Sequence, residues 1–317
     1  MKRTLAAMTL VLSACGIDSR TEAFRNGFPR NSTVEVKVPE SSSTSQGLGG
    51  ESTRRDGLLG EQAEFYGFTR AMTVVVNGGV GATLGLVERI VEYTPTSITD
   101  NTAVWGPHTD PLSPNTWRFT VTKRAENDYT YVLEGKGKSA PDTEFKAILS
   151  GNHVSAGKDL GNGSFLLDWD AAQTLPEHDG AVGQGHVDYA RPTATATVQI
   201  DADFTRVKDG ETGQLVDAKY RFRQTPGQGG AFEFQMNKNF ITGGAIELLT
   251  VRSRWQESGA GRSDAKLTGG DLTQGATATE CWDSSFKSRY FVNSVDAAKA
   301  WGDAAMCSFT TAEYASL

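Results

Sequence analysis

Few residues in this chain could do chemistry, and they are scattered. Asp168 and Asp170 flank Trp169 just after Gly161-Asn162-Gly163, which reads as a turn. On an extended strand alternate side chains share a face, so the two carboxylates are expected about 7 Å apart. That separation suits a metal or an acid–base pair, and equally an ordinary solvent-facing strand end. His186-Val187-Asp188 repeats the geometry, with His178-Asp179 upstream. A His/Asp cluster can hold a metal, but one strand supplies only two ligands and no third is evident. The competing reading is a polar outer face. Ser164 stands in Gly163-Ser164-Phe165, outside any nucleophile elbow. Gly78-Gly79-Val80-Gly81 and Gly227 to Gly230 fit neither a P-loop nor a dinucleotide fingerprint and read as turn glycines. No nucleophile set and no cofactor motif is assembled, so the expectation leans away from catalysis.

Composition narrows the class. The chain has 317 residues, 38% hydrophobic and 22% charged, with 35 Gly, 10 Pro and 3 Cys. This excludes collagen-like, coiled-coil and multi-span membrane proteins. The net charge of −7 offers no basic excess for nucleic acid. An odd cysteine number needs an explanation, and the amino terminus offers one.

Residues 1–15 read MKRTLAAMTLVLSAC. Lys2 and Arg3 form a positive start, and Leu5 to Leu12 form an apolar run too short to span a bilayer. The run ends in Leu12-Ser13-Ala14-Cys15. This resembles a bacterial lipoprotein signal peptide with its lipobox. The resemblance implies cleavage after residue 14 and acylation of Cys15, which becomes the membrane anchor. The competing reading is an ordinary secretory signal. Two or three acyl chains hold firmly, where one holds reversibly. Gly16, where an Asp would favour inner-membrane retention, implies outer rather than inner membrane.

If Cys15 is acylated, Cys281 and Cys307 remain. In an exported chain a disulfide is the simplest expectation for that pair, two free thiols being the alternative. Loss of Lys2 and Arg3 takes the net charge from −7 to −9. An acidic body of that kind is not a polybasic lipid-surface binder.

The elements that position these residues follow from hydrophobic period. Residues 15–60 read as a flexible tether, because Pro39 to Gly50 is almost free of large apolar groups. Such a tether has an end-to-end distance of roughly 35–40 Å. Asn31 to Val38 holds a stray strand pattern. From Glu61 to Tyr93, Phe65, Phe68, Met72, Val76, Val80, Leu84, Val87 and Val91 recur at helical spacing. Gly78, Gly79 and Gly81 weaken its middle, so residues 61–94 are expected as two helices or one kinked helix, with a strand over Thr73 to Val76 as the rival.

Beyond Asp100 the period is two. Trp117–Val121, Tyr129–Leu133, Phe145–Leu149, Phe165–Trp169, Thr193–Phe204, Tyr220/Phe222, Phe232 to Met236 and Ile246–Trp255 all read as strands. Short turns between them imply antiparallel neighbours. Residues 276–291 are expected as a strand pair, and Asp296–Met306 as a short helix or turn pinned by Cys281–Cys307. The expected fold is mainly β (α+β): a large curved antiparallel sheet or open barrel packed on an N-terminal helical segment, in one domain over 61–317.

Three function readings follow. The first is an envelope lipoprotein with a structural or interaction role and an envelope-protein partner. The second is a carrier of a lipid or other hydrophobic ligand, because the architecture is similar to that of lipoprotein carriers, which hold acyl chains between sheet and helix. There Phe65, Met72 and Leu84 would face Val198, Ile200, Phe232 and Phe234 across a pocket. The third is a metal-dependent hydrolase on Asp168, Asp170, His186 and Asp188. The whole pattern also resembles uncharacterised envelope lipoproteins of Gram-negative bacteria.

Overall fold

The structure, a computed structural model, describes residues 14–40, 59–210, 212–240 and 243–317, with side chains from Ser19 onward. Residues 1–13 lie outside it, as does the side chain of Cys15. Fifteen strands form one antiparallel sheet in which each strand pairs with its sequence neighbours. They are β1 Ser97–Ile98, β2 Thr102–His108, β3 Asn115–Ala125, β4 Asp128–Gly137, β5 Lys146–Gly157, β6 Leu160–Asp168, β7 Gln184–Arg191 and β8 Val198–Lys208. The meander continues through β9 Leu215–Thr225, β10 Gly229–Lys238, β11 Glu247–Trp255, β12 Gly261–Gly269, β13 Ala276–Trp282, β14 Ser288–Asn293 and β15 Trp301–Gly302. The sheet does not close on itself, and its inner face packs on a long helix, as the hydrophobic period predicts.

Among the described residues four α-helices accompany it: α1 Ala14–Arg25, α2 Asn31–Val34, α3 Glu64–Glu92 and α4 Trp169–Ala172. α3 is a single helix of 29 residues. The glycines read as turn residues lie in its interior, and no break occurs there. A continuous stripe of Thr69, Thr73, Val76, Val80, Leu84, Val87 and Val91 is buried on the sheet. Burial of that stripe outweighs the glycine penalties. By length and composition α3 could also cross a membrane.

Both ends of α3 are satisfied from far away. Its N-cap, Ala63, makes no side-chain cap bond. Instead Glu280 Oε2 on β13 accepts the Phe65 amide at 2.7 Å. At the other end Arg25 donates to the carbonyls of Val91, Glu92 and Tyr93 at 2.8–3.3 Å. Orphan amides and carbonyls are thus paired, with a cation where the helix dipole is negative.

Residues 19–40 are not a tether. Phe24, Phe28, Val34 and Val36 are buried in the main core with the sheet and α3. Phe28 meets Phe119 edge-on at 5.3 Å. The apolar residues before Pro39 are few, but each fills a gap on the concave face. Residues 41–58, the rest of the expected tether, lie outside the described residues. Val34 ends a helical turn instead of entering a strand.

Other boundaries move for local reasons. The twelve-residue alternation from Thr193 enters the sheet only at Val198. Pro192 has no amide for a ladder, and the Thr193 hydroxyl captures the Ala196 amide at 3.0 Å. Gly161 and Gly163 lie within β6, not in a turn. A side chain at Gly161 would strike the ring of His153 on β5. The Cys281–Cys307 disulfide is present and ties the C-terminal segment to β13.

Two buried titratable groups pull stability in opposite directions. Burial pushes the Glu280 carboxyl up from 4.5 to about 7, against the Phe65 amide and Ser288 hydroxyl and with help from Glu64. Burial lowers His153 from 6.5 to about 4; its Nδ1 lies 2.8 Å from the Tyr189 hydroxyl. Between pH 4.5 and 7 folded Glu280 keeps its proton longer than the unfolded chain, so stability falls as pH rises. Between pH 6.5 and 4 the unfolded chain takes up the proton that buried His153 refuses, so stability falls as pH drops. The two slopes oppose between pH 4.5 and 6.5. Glu280→Gln removes one of them. Its unfolding free energy, from urea titrations, should then fall by about 2–3 kcal/mol between pH 7 and pH 4. A profile parallel to the wild type would contradict this account.

Candidate functional site

α3 crosses the concave face and divides it. On one flank, Asn77, Gly81, Gly85 and Glu88 meet the N-terminal segment. Asn77 exchanges hydrogen bonds with the Val36 backbone at 2.9 Å, and Glu88 accepts the Asn31 amide at 2.7 Å. That flank is partly filled, with a smaller cavity of about 300 Å3 left between Asn31, Val34, Glu35 and α3. On the other flank none of the described N-terminal residues covers the sheet, and among the described residues a trough of about 760 Å3 remains.

One wall of the trough is the side of α3 carrying Val75, Gly79, Ala82, Thr83 and Leu86. The other is the sheet: Trp117 of β3, Leu133 of β4, Ile148 of β5, Phe204 and Val207 of β8, and Tyr220 of β9. One border is the β6–β7 connection, with Trp169, Ala172, Leu175 and residues 177–182. The apolar wall is a direct consequence of the strand period, because inner residues of half-covered antiparallel strands are apolar. Charged groups, Glu177, Asp179 and Lys208, and the His178 imidazole also line it. The volume falls within the range of small-molecule pockets.

The carboxylates expected to hold a metal hold the border instead. β6 ends at Asp168, so Asp168 and Asp170 do not share a strand face. Asp168 caps α4, its Oδ1 accepting the Ala171 amide at 2.8 Å, while Oδ2 accepts from Gln184 at 3.1 Å. Asp170 Oδ1 accepts the Gly183 amide at 2.9 Å, and Oδ2 meets Arg206 at 3.4 Å. Gln173 ties the same loop through the carbonyls of Gly180 and Ala181 at 3.2 and 2.8 Å. The sequence pattern was a helix-capping signal, Asp168 with three residues to Ala171, hidden by the apparent continuation of the strand.

His186 and Asp188 are exposed on β7 and face each other at 3.4 Å. His178 is separate from them, on the trough border. Among the described residues no group of three or more His, Cys, Asp or Glu could share a metal.

The expected pocket residues are elsewhere too. Leu84, Val198, Ile200, Phe232 and Phe234 are buried core residues, and Met72 packs against that core. Phe65 belongs to a second cluster with Tyr66, Trp282 and Phe286. None of these lines the trough. The sequence placed the pocket where the apolar stripe of α3 meets the sheet, but the residues of that contact are buried in the main core. The trough lies one flank away, under small residues. The sequence signal for it was there: Gly78-Gly79 inside an apolar helix, and Trp169 after a strand.

No protein-family model, no curated protein and no solved structure matches this chain. Function must therefore be argued from the trough itself.

Proposed function

We propose that this chain is a membrane-anchored envelope protein that binds a slender apolar or amphipathic ligand, such as an acyl chain, between α3 and the sheet. The observation that carries this reading is the unfilled trough of about 760 Å3 with mainly apolar walls. A protein with a structural role alone gains from filling such a space, since packed apolar side chains stabilise the fold. Along α3 the trough runs from Val75 to Leu86, about 16 Å of helix. An elongated chain uses that length, and the polar groups of Glu177, His178, Asp179 and Lys208 can meet a polar head.

The anchor reading rests on the lipobox ending in Cys15. With Thr21 already buried, such an anchor leaves a short connection rather than a long spacer. α1 packs beside Asp100, which Arg20 meets at 3.3 Å, and beside Tyr129. Those residues mark the end of the sheet opposite the β6–β7 connection. A membrane reached through Cys15 is therefore approached from the end away from the trough.

Native mass spectrometry after mild extraction, joined with titration of a fluorescent fatty acid, tests the binding. A co-purified lipid and saturable binding are expected, with binding lost in Trp117→Glu, which puts a charge on the apolar wall. A ligand-free protein that takes up no fatty acid would sink the reading. Independently, Cys15→Ala should move the protein into the soluble fraction; unchanged membrane association would contradict the anchor.

A further inference from the structure

We propose that the end of the sheet bordering the trough docks on a lipid surface through apolar side chains at its turns, and takes up its ligand there. This rests on the ligand-binding reading above. In a meander of antiparallel neighbours successive turns alternate between the two ends of the sheet. The turns β2–β3, β4–β5, β6–β7, β8–β9, β10–β11 and β12–β13 therefore share one end. The β6–β7 connection borders the trough, and so do Val207 and Lys208, where β8 runs into its turn. At this end Leu112 in the β2–β3 turn is 99% exposed. Leu215 at the start of β9, and Phe240 and Ile246 in the β10–β11 turn, are exposed as well. In the turns of the opposite end, among the described residues, no large apolar side chain is exposed, and Phe286 there is buried.

Apolar side chains exposed singly are ordinary on a protein surface, but here they are confined to one set of turns. Two of them adjoin the trough. Leu215 stands opposite Lys208 in the β8–β9 ladder. The turn of Leu112 is tied to the trough border, because Asn115 donates to the Glu177 carbonyl at 2.7 Å. The four side chains stand on separate turns and strand ends. A protein partner would have to match each of them, whereas the acyl boundary of a lipid layer closes around any apolar tip that enters it. Glu177, Asp179 and Lys208 at the border make no basic cluster. Apolar insertion into a zwitterionic surface, not attraction to anionic headgroups, is therefore the contact this end fits. An acyl chain leaving such a layer beside Leu112 and Leu215 enters the trough with little exposure to water.

The test uses the full chain carrying Cys15→Ser, which removes any acyl anchor, and vesicles of phosphatidylcholine and phosphatidylethanolamine. This protein is expected to co-sediment with the vesicles. Leu112→Ser, Leu215→Ser and Ile246→Ser together should weaken that partition at least about tenfold. None of the three lines the trough, so binding of a fluorescent fatty acid in solution should be unchanged. An environment-sensitive dye attached through Leu112→Cys should brighten when vesicles are added. The same dye attached through Gln228→Cys, exposed in the β9–β10 turn at the opposite end, should not. This pair decides the matter should the triple variant misfold. Undiminished partition of a folded triple variant, or a dye response at Gln228 equal to that at Leu112, would overturn the docking. So would a failure to bind vesicles, the result expected if these side chains meet a protein instead. In each of those cases fatty-acid binding by the wild type leaves the ligand-binding reading standing, and its absence would overturn both.

Discussion

Asp264→Ala is expected to lower the unfolding free energy by about 3–5 kcal/mol, the range for breaking a buried ion pair. Asp264 lies on the outer face of β12 with a side chain 0% exposed, between Arg254 at 9% and Arg262 at 5%. Arg262 Nε donates to both of its oxygens, Arg254 Nη2 donates at 3.2 Å and Thr279 at 2.7 Å. The C-terminal segment closes over this group. Arg262 donates to the carbonyls of Phe309 and Thr310, Arg254 to that of Thr311, and Asp264 accepts the Glu313 amide at 3.0 Å. Without Asp264 the Arg262 guanidinium stays buried beside carbonyls alone, and Arg254 keeps only the half-exposed Glu313 carboxylate at 2.5 Å as a counter-charge. Urea denaturation measures the loss. Replacing the three charges together, as Arg254→Met, Arg262→Met and Asp264→Leu, should cost less than Asp264→Ala, because no uncompensated charge remains. The reverse order would show that the ion group stabilises beyond its own desolvation.

Removing the disulfide as Cys281→Ala with Cys307→Ala is expected to cost roughly 3–4 kcal/mol. The cross-link joins residues 26 apart, and the loss is chiefly the chain entropy regained by the unfolded state. The two predictions are coupled. Cys307 precedes the clamped carbonyls by only a few residues, so the disulfide holds the segment over Arg254 and Arg262. Once it is gone, the segment can lift and let water reach the arginines. Asp264→Ala should therefore cost less in the disulfide-free background than in the wild type, a coupling of about 1 kcal/mol or more in a double-mutant cycle. Strict additivity would mean that the segment stays in place without the disulfide.

The amino-acid sequence alone determined the class of fold. Period-two alternation marks the strands because one face of an antiparallel sheet is solvated, and short turns make neighbours antiparallel. Helical spacing of Val76, Val80, Leu84 and Val87 marks α3 because one stripe must meet the sheet. The pairing of Cys281 with Cys307 follows from counting, once Cys15 is set aside. These features are local, or need only the sum of residues.

Tertiary structure decided where the space lies. Phe24, Phe28, Val34 and Val36 look too sparse to build a core, yet they join the main core on one flank of α3 because α3 and the sheet supply the other walls. Among the described residues the opposite flank has no such filler, and the trough is what remains. Asp168 and Asp170 look like a ligand pair only while β6 is imagined to continue; capping of α4 and the pull of Gly183 and Arg206 turn them to holding the trough border. Glu280 serves the first turn of α3 across 215 residues of sequence, a contact no local pattern encodes. A cavity is a difference between volumes brought together by distant segments, so no stretch of sequence states it. What the sequence does carry is a trace, the small residues Gly78, Gly79, Ala82 and Thr83 on the flank of α3 that lines the trough.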